Sequence, residues 1–190
     1  VDVFISLKSD TTGTLKEIYE KLLSLAQNMN WSPRRQNVSV GVTVNGTRGD
    51  LVPGKVQAGY QNYHSLYHRK RDSWTQTNVS LHVDTVRLSG RQKEIRAVKI
   101  WRMLRGLDFP SLYLELFTIQ SLSGRSRSTL GENVFHALRM IGSSLQSARI
   151  VDPGNTGNVL SDELTQAEKQ WIASSAAQSA QEQYWERIIW

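Results

Sequence analysis

Polar and apolar residues alternate from the first positions of the chain. Val1, Val3, Ile5 and Leu7 alternate with Asp2, Phe4, Ser6 and Lys8, a period of two that predicts a strand. The spacing then changes. Leu15, Ile18, Leu22, Leu23 and Leu25 recur at helical intervals, which predicts an amphipathic helix over residues 15–29, with Thr14 and Glu17 placed for a capping box. Trp31-Ser-Pro33 breaks it. Alternation returns over 38–44, Val-Ser-Val-Gly-Val-Thr-Val, and Asn45-Gly46 is a hairpin signal. Asp50-Leu-Val then opens a further strand that Pro53-Gly54 is expected to interrupt. Residues 65–69 read as a weaker strand, and Arg69-Lys-Arg71 as an exposed turn.

From about residue 80 the period is helical. Val98, Ile100, Trp101 and Leu104 predict a helix over 91–105, with Gly106 where a C-cap belongs and Trp101 in the core. Pro110 begins a second helix at a favourable first-turn position. Thr129 and Glu132 suggest a capping box before a helix over 130–146, and Thr165 and Glu168 one before a last helix running almost to the end. Residues 152–158 read as a loop, and 123–128, Ser-Gly-Arg-Ser-Arg-Ser, as the best candidate for a mobile one. The fold class is therefore α+β: mixed sheet and helix over residues 1–85, all helix over 86–190.

Composition narrows the partners. The 190 residues hold no cysteine, which excludes disulfide frameworks and thiolate zinc sites and fits a cytoplasmic protein. Hydrophobic content is 39% and charged content 21%, ordinary values for a globular protein, and no apolar run is long enough to span a membrane. The net charge of +6 favours phosphate-bearing partners, although a solvated basic surface explains it equally well. The chain opens on Val, and its first residues already read as strand, which predicts that the natural N-terminus lies upstream.

Two carboxylates carry the candidate chemistry. Asp2 sits in the first strand and Asp50 opens another. If the two strands are neighbours in one sheet, the carboxylates converge on one edge of it. Convergent carboxylates repel and call for a cation, and Mg²⁺ is the usual choice beside substrate phosphates. Either Asp alone is more simply a strand-end or turn residue.

The surrounding words strengthen the pair. Val1-Asp-Val-Phe-Ile-Ser-Leu7 resembles the end of the Asp-x-Asp strand of DNA polymerase β superfamily nucleotidyltransferases, and Gly49-Asp-Leu-Val-Pro53 the strand bearing their third carboxylate. Trp74-Thr-Gln-Thr-Asn-Val-Ser-Leu-His82 is similar to the segment closing the catalytic domain, with Val79 where Pro is common. Arg96-Ala-Val-Lys-Ile-Trp101, Pro110-Ser-Leu-Tyr-Leu-Glu115 and Asp152-Pro-Gly-Asn-Thr-Gly-Asn158 look like the helical domain of the group that holds oligoadenylate synthetases, cyclic-GMP-AMP-synthase-like enzymes and bacterial CD-NTases.

The resemblance implies a partial palm over residues 1–85 and a helical nucleotide-binding domain over 86–190. It makes Asp2 and Asp50 catalytic and metal-binding, with Mg²⁺ or Mn²⁺ as the ion. It assigns Lys99 and Ser111 to the triphosphate of a bound NTP, ATP among the substrates, and Glu115 to bracing. The first Asp of the Asp-x-Asp pair and the family's Gly-Ser turn would lie before Val1. Relatives often place a base-stacking aromatic after the serine, where this chain has Leu112.

The implied activity is synthesis of a cyclic or linear oligonucleotide messenger in antiviral or anti-phage signalling, with RNA or another ligand as activator. Two alternatives stay open: nucleotide addition to an RNA or tRNA 3′ end, and a non-catalytic relative that binds nucleotide or RNA. Two further features take plain readings. His64 and His68, four apart, lack the helix and the Glu of a metal motif. Tyr60, Tyr63 and Tyr67 could stack bases beside Arg69-Lys-Arg71, but packing on a sheet explains them better.

Overall fold

The computed structural model describes residues 2–189, apart from the side chain of Gln61. Val1, expected to open the first strand, lies outside the described residues. The chain forms two compact units, residues 1–80 and 81–190, divided inside a helix and five residues ahead of the change in pattern expected at 85.

The first unit is built on a six-stranded sheet. Strand β1 covers Asp2–Leu7, helix α1 Leu15–Asn28, and strands β2 to β6 cover Arg34–Arg35, Val40–Val44, Thr47–Gln57, Tyr60–His68 and Ser73–Thr77. Thr14 and Glu17 form the expected capping box of α1. Val44 pairs with Thr47 across Asn45-Gly46, both at positive φ (49° and 78°), the turn that matches strand twist. β2 and the first residues of β5 carry too weak an alternation to be read from sequence.

Strand β4 does not break at Pro53-Gly54. It runs through, and the physical reason lies in its neighbours. Leu51 is the last residue paired with β3 and Lys55 the first paired with β5, while β1 pairs along residues 50–55. β3 and β5 therefore share the edge opposite β1. Residues 52–54 face no strand on that edge, and a proline without an N–H costs nothing there. Gly54 is required for a different reason. The Phe4 ring crosses it, with Cζ 2.5 Å from where a Cβ would stand, and meets the His64 ring edge-on at 4.9 Å.

The two faces of this sheet differ. Val40, Val42 and Tyr67 pack with Tyr19, Leu23 and Ala26 of α1 into a small core. Gly41 and Asp50 alternate with those residues and point to the other face.

The second unit is helical. Helices α2 to α5 span Val79–Ser89, Gln92–Leu104, Ser111–Ser121 and Leu130–Ser144. A hairpin of β7 (Val151–Asp152) and β8 (Asn155–Val159) follows, then α6 (Gln166–Ser179) and the short α7 (Glu186–Ile189). Residues 152–158 thus belong to a hairpin, not an open loop, and the last long helix stops at Ser179. Gly106 has φ +63° beyond the end of α3, as its C-cap position predicts. The capping box read at Thr165 is present, but Thr129 makes no side-chain cap. Trp101 is fully buried, and its Nε1–H donates to Ser179 Oγ at 2.9 Å.

The segment 123–128, expected to be mobile, is tied down instead. Arg91 is buried and donates to the carbonyls of Leu122 (2.9 Å), Ser126 (3.2 Å) and Arg125, and to Glu94 Oε1 at 3.0 Å. Asn133 Nδ2 donates to the same Glu94 oxygen and, at 2.7 Å, to the Ser126 carbonyl. A Ser-Gly-Arg composition signals no packing, and the clamp comes from a residue far back in the chain.

Among the described residues no helix is long and apolar enough to cross a membrane.

Candidate active site

Asp2 and Asp50 are direct partners in the parallel pairing of β1 with β4. Parallel partners project from the same face, and adjacent strands lie about 4.8 Å apart. The two carboxylates, far apart in sequence, therefore stand side by side. The row continues across the sheet, because Asp50 is in register with Gly41 of β3, and Gly41 with Arg34 of β2. Arg34, Gly41, Asp50 and Asp2 form one line on the face turned away from α1.

Asp2 is exposed, and its side chain makes no hydrogen bond among the described residues. Asp50 is half-buried and is held: Gln36 Nε2 donates to its Oδ1 at 2.8 Å. Gln36 is itself oriented, since its Oε1 accepts from Ser39 Oγ at 2.5 Å. The backbone around it is pinned by the buried Tyr19 hydroxyl. That oxygen lies 2.9 Å from the Gln36 carbonyl and 3.0 Å from the Ser39 carbonyl, and accepts the Gln36 N–H at 3.1 Å. Burial pushes the Tyr19 hydroxyl above its ordinary value, so it stays a neutral donor and acceptor at physiological pH.

Gly41 leaves the room for this. A Cβ there would stand 2.8 Å from Gln36 Nε2, 3.2 Å from an Arg34 guanidinium nitrogen and 3.3 Å from Asp50 Oδ1. Sequence reasoning missed Arg34, Gln36 and Gly41. One signal was present: a lone Gly inside Val-Ser-Val-Gly-Val, where a strand glycine often marks close approach.

Two adjacent carboxylates suit a hard divalent cation that takes its remaining ligands from phosphates and water. Among the described residues no three His, Asp or Glu side chains converge, so Asp2 and Asp50 would supply only part of a coordination shell.

Lys99 and Ser111 belong to the second unit. Lys99 Nζ donates to Glu115 Oε1 at 2.7 Å, with side chains 38% and 17% exposed, so the ammonium is partnered yet open to solvent on one side. Ser111 is the first residue of α4, whose start has no side-chain cap. Its leading N–H groups and hydroxyl are thus available to an anion. Glu115 stands one turn above Ser111 on the same face of α4, which brings the Lys99 ammonium near that helix start.

The two histidines do not share a ligand. Both lie on β5, where four residues span about 13 Å. His64 meets Ser6 Oγ at 2.8 Å and His68 meets Asn37 Nδ2 at 2.9 Å. Of the tyrosines, Tyr67 packs against Tyr19, while Tyr60 and Tyr63 make an edge contact at 6.4 Å with Tyr60 exposed.

Two of the motif words meet in the second unit. His82 Nε2 and Asp152 Oδ1 lie 2.6 Å apart, tying α2 to the β7–β8 hairpin. Burial acts to raise the Asp152 carboxyl. The hydrogen bond and charge of His82, the Gly154 N–H and the Asn158 amide outweigh it and hold that carboxyl below its ordinary value.

These elements, in this order, give the chain the fold seen in solved structures of bacterial CD-NTases. The solved structures that show it include CdnC of E. coli MS115-1 in complex with HORMA-deltaN, at 20% identity and a TM-score of 0.70, covering 94% of this chain and 68% of that one. The Bradyrhizobium diazoefficiens CD-NTase CdnG in complex with GTP matches at 12% identity and a TM-score of 0.73, over 94% and 70% of the two chains. The Vibrio cholerae DncV cyclic AMP-GMP synthase, with the linear intermediate 5′ pppA(3′,5′)pG, matches at 15% identity and 0.68, over 97% and 58%. At such identities the likeness is one of fold. No family model matches the chain, and no curated protein does either.

Proposed function

We propose that the whole protein is a nucleotidyltransferase that joins NTPs into a cyclic or linear oligonucleotide messenger, in antiviral or anti-phage signalling. The observation that carries this reading is the register of Asp2 against Asp50 on one face of the sheet, in a fold shared with a cyclic AMP-GMP synthase. In the reaction a ribose hydroxyl oxygen bonds to the α-phosphorus of an NTP. The bond from that phosphorus to the pyrophosphate oxygen breaks, and the hydroxyl proton passes to Asp50 or to water. Asp2 and Asp50 would hold Mg²⁺, which when bound would supply positive charge to stabilise the reacting phosphate. Lys99 and the start of α4 at Ser111 hold the triphosphate, with Glu115 releasing or sharing the ammonium as phosphate arrives.

The test is incubation of the whole protein with the four NTPs and Mg²⁺, with and without RNA. Pyrophosphate release and an oligonucleotide product without RNA support the messenger reading. Strict dependence on an RNA end would establish the tailing activity instead. NTP binding by calorimetry with no product in either condition would leave a binding protein only.

A further inference from the structure

The carboxylate of Asp50 does not stand free: the side-chain amide of Gln36 holds it. Gln36 lies on the short connection between β2 and β3. Its amide bridges two groups: Oε1 accepts from Ser39 Oγ, and Nε2 donates to Asp50 Oδ1 at 2.8 Å. The Ser39 hydroxyl sets the orientation of the amide. With its oxygen engaged by an O–H donor, the amide presents N–H, not C=O, to the carboxylate. The connection itself is anchored from beneath by Tyr19, which is buried in the core of the first unit. Gly41 completes the device, because any Cβ there would stand 2.8 Å from the amide nitrogen.

We infer that Gln36 is a positioning residue for the reaction: its amide fixes Asp50 Oδ1 so that the carboxylate presents its other oxygen to the bound cation, with Gly41 keeping the path open. This inference rests on the reading of Asp50 as a metal-binding carboxylate. Partners of this kind orient a ligand and set its basicity, and their loss commonly costs 10-fold to 100-fold in metal affinity or activity. A neutral donor suits the task. It removes rotational freedom from the carboxylate without neutralising it, as a fully engaged arginine would. Arg34 lies across the same glycine and makes no ion pair among the described residues.

The experiment compares Gln36→Leu, Gly41→Ala and the double variant in the whole protein. Three quantities are read: Mn²⁺ affinity by paramagnetic resonance titration without nucleotide, kcat and KM for NTP, and the melting temperature. Gln36→Leu keeps the bulk and removes the donor. It is expected to weaken Mn²⁺ binding about 10-fold and to lower kcat by a similar factor, with KM changed by no more than about 2-fold. Gly41→Ala should give the same signature by displacing an unaltered amide. The double variant should be no worse than Gln36→Leu alone, since both changes remove one hydrogen bond.

Unchanged Mn²⁺ affinity and kcat in Gln36→Leu overturn the inference. So do fully multiplicative losses in the double variant. If Gly41→Ala melts early, Gln36→Leu and the milder Ser39→Ala decide the matter. Asp50→Asn is run beside them. If it loses metal binding and turnover while Gln36→Leu keeps both, the positioning role fails and the carboxylate reading stands. If Asp50→Asn keeps both, the carboxylate reading has failed first.

Discussion

Among the described residues both units carry exposed ion pairs, Arg87 with Asp84 and Arg187 with Glu182 in the second, but only the second buries any. In the first, the ion pairs are on the surface: Lys16 with Asp72 at 56% and 66% side-chain exposure, and Arg35 with Glu20 at 47% and 39%. The carboxylates proposed to act there, Asp2 and Asp50, make no ion pair among the described residues: Asp2 is exposed, and Asp50 is half-buried with the neutral Gln36 amide as its donor. In the second, Arg91 and Glu94 are paired at 6% and 4% exposure, and His82 and Asp152 at 19% and 7%. Those charges hold the unit together. A buried ion pair that loses one partner leaves an uncompensated charge in a poor solvent, whereas an exposed pair is replaced by water at little cost. The contrast therefore predicts which substitutions destroy activity and which destroy structure.

The largest effect should fall on activity alone. Asp50→Asn in the whole protein is expected to lower kcat by about 10³-fold or more, equivalent to about 4 kcal/mol of barrier, because under the proposed function it removes one of the two metal-binding carboxylates. The melting temperature should not fall, since Asn can still accept from Gln36. A pyrophosphate-release assay and a thermal melt on the same sample check both halves. A variant that melts early would show the first unit spending Asp50 on stability, and the contrast would break.

The next effect should fall on stability alone. Arg91→Met removes the donor to the carbonyls of Leu122, Arg125 and Ser126 and takes the cation from Glu94, leaving it the neutral Asn133 amide, at an expected cost of about 3–5 kcal/mol. Chemical denaturation measures it. The loop 123–128 should then exchange its amide hydrogens as freely as its composition suggests. A loss under about 1 kcal/mol would mean that the buried network is replaceable by apolar packing.

Asp152→Asn should cost less, about 2 kcal/mol, because His82 keeps some access to water and Asn retains an acceptor for the Gly154 N–H. This site also has a pH signature. The folded carboxyl titrates below the ordinary value of 3.8, so its contribution is complete above that pH and is lost as pH falls through the lower folded value. Denaturation midpoints followed from pH 6 down to about pH 2 should show this acid-limb loss in the native chain and a smaller one in Asp152→Asn.

Much of the frame was legible before the fold was known, and the reasons are local. The strand at Asp2, the turn at Asn45-Gly46 and the capped helices at Thr14 and Thr165 rest on neighbours in sequence. What stayed hidden depends on distant partners. Pro53-Gly54 reads as a break until β1 supplies the opposite edge. The segment 123–128 reads as mobile until Arg91 arrives. At the candidate site, Asp2 and Asp50 could be paired only by assuming that their strands are neighbours, and the parallel register supplies that contact. Gln36 had no signal at all, because a glutamine on a connection is common and its meaning lies in the glycine it crosses.

The smallest effect sharpens the contrast most. Arg35 forks onto Glu20, with Nη1 at 2.5 Å and Nη2 at 2.7 Å from the two carboxylate oxygens, joining β2 to α1. The geometry is the best of any surface pair here, and β2 leads directly to Gln36. If ion pairs built the first unit as they build the second, Glu20→Gln would loosen β2 and reach Asp50 through Gln36. Exposure argues otherwise. Water and salt replace most of what the fork provides, so a double-mutant cycle of Glu20→Gln with Arg35→Gln should give a coupling of only about 0.2–1 kcal/mol, shrinking further in 1 M salt. Tyr19, buried beneath the connection, keeps Gln36 in place without the fork, so kcat should stay within about 2-fold of the native value. A coupling above about 2 kcal/mol, or a fall in kcat to match Gln36→Leu, would show that the surface pair sets the position of the carboxylate row.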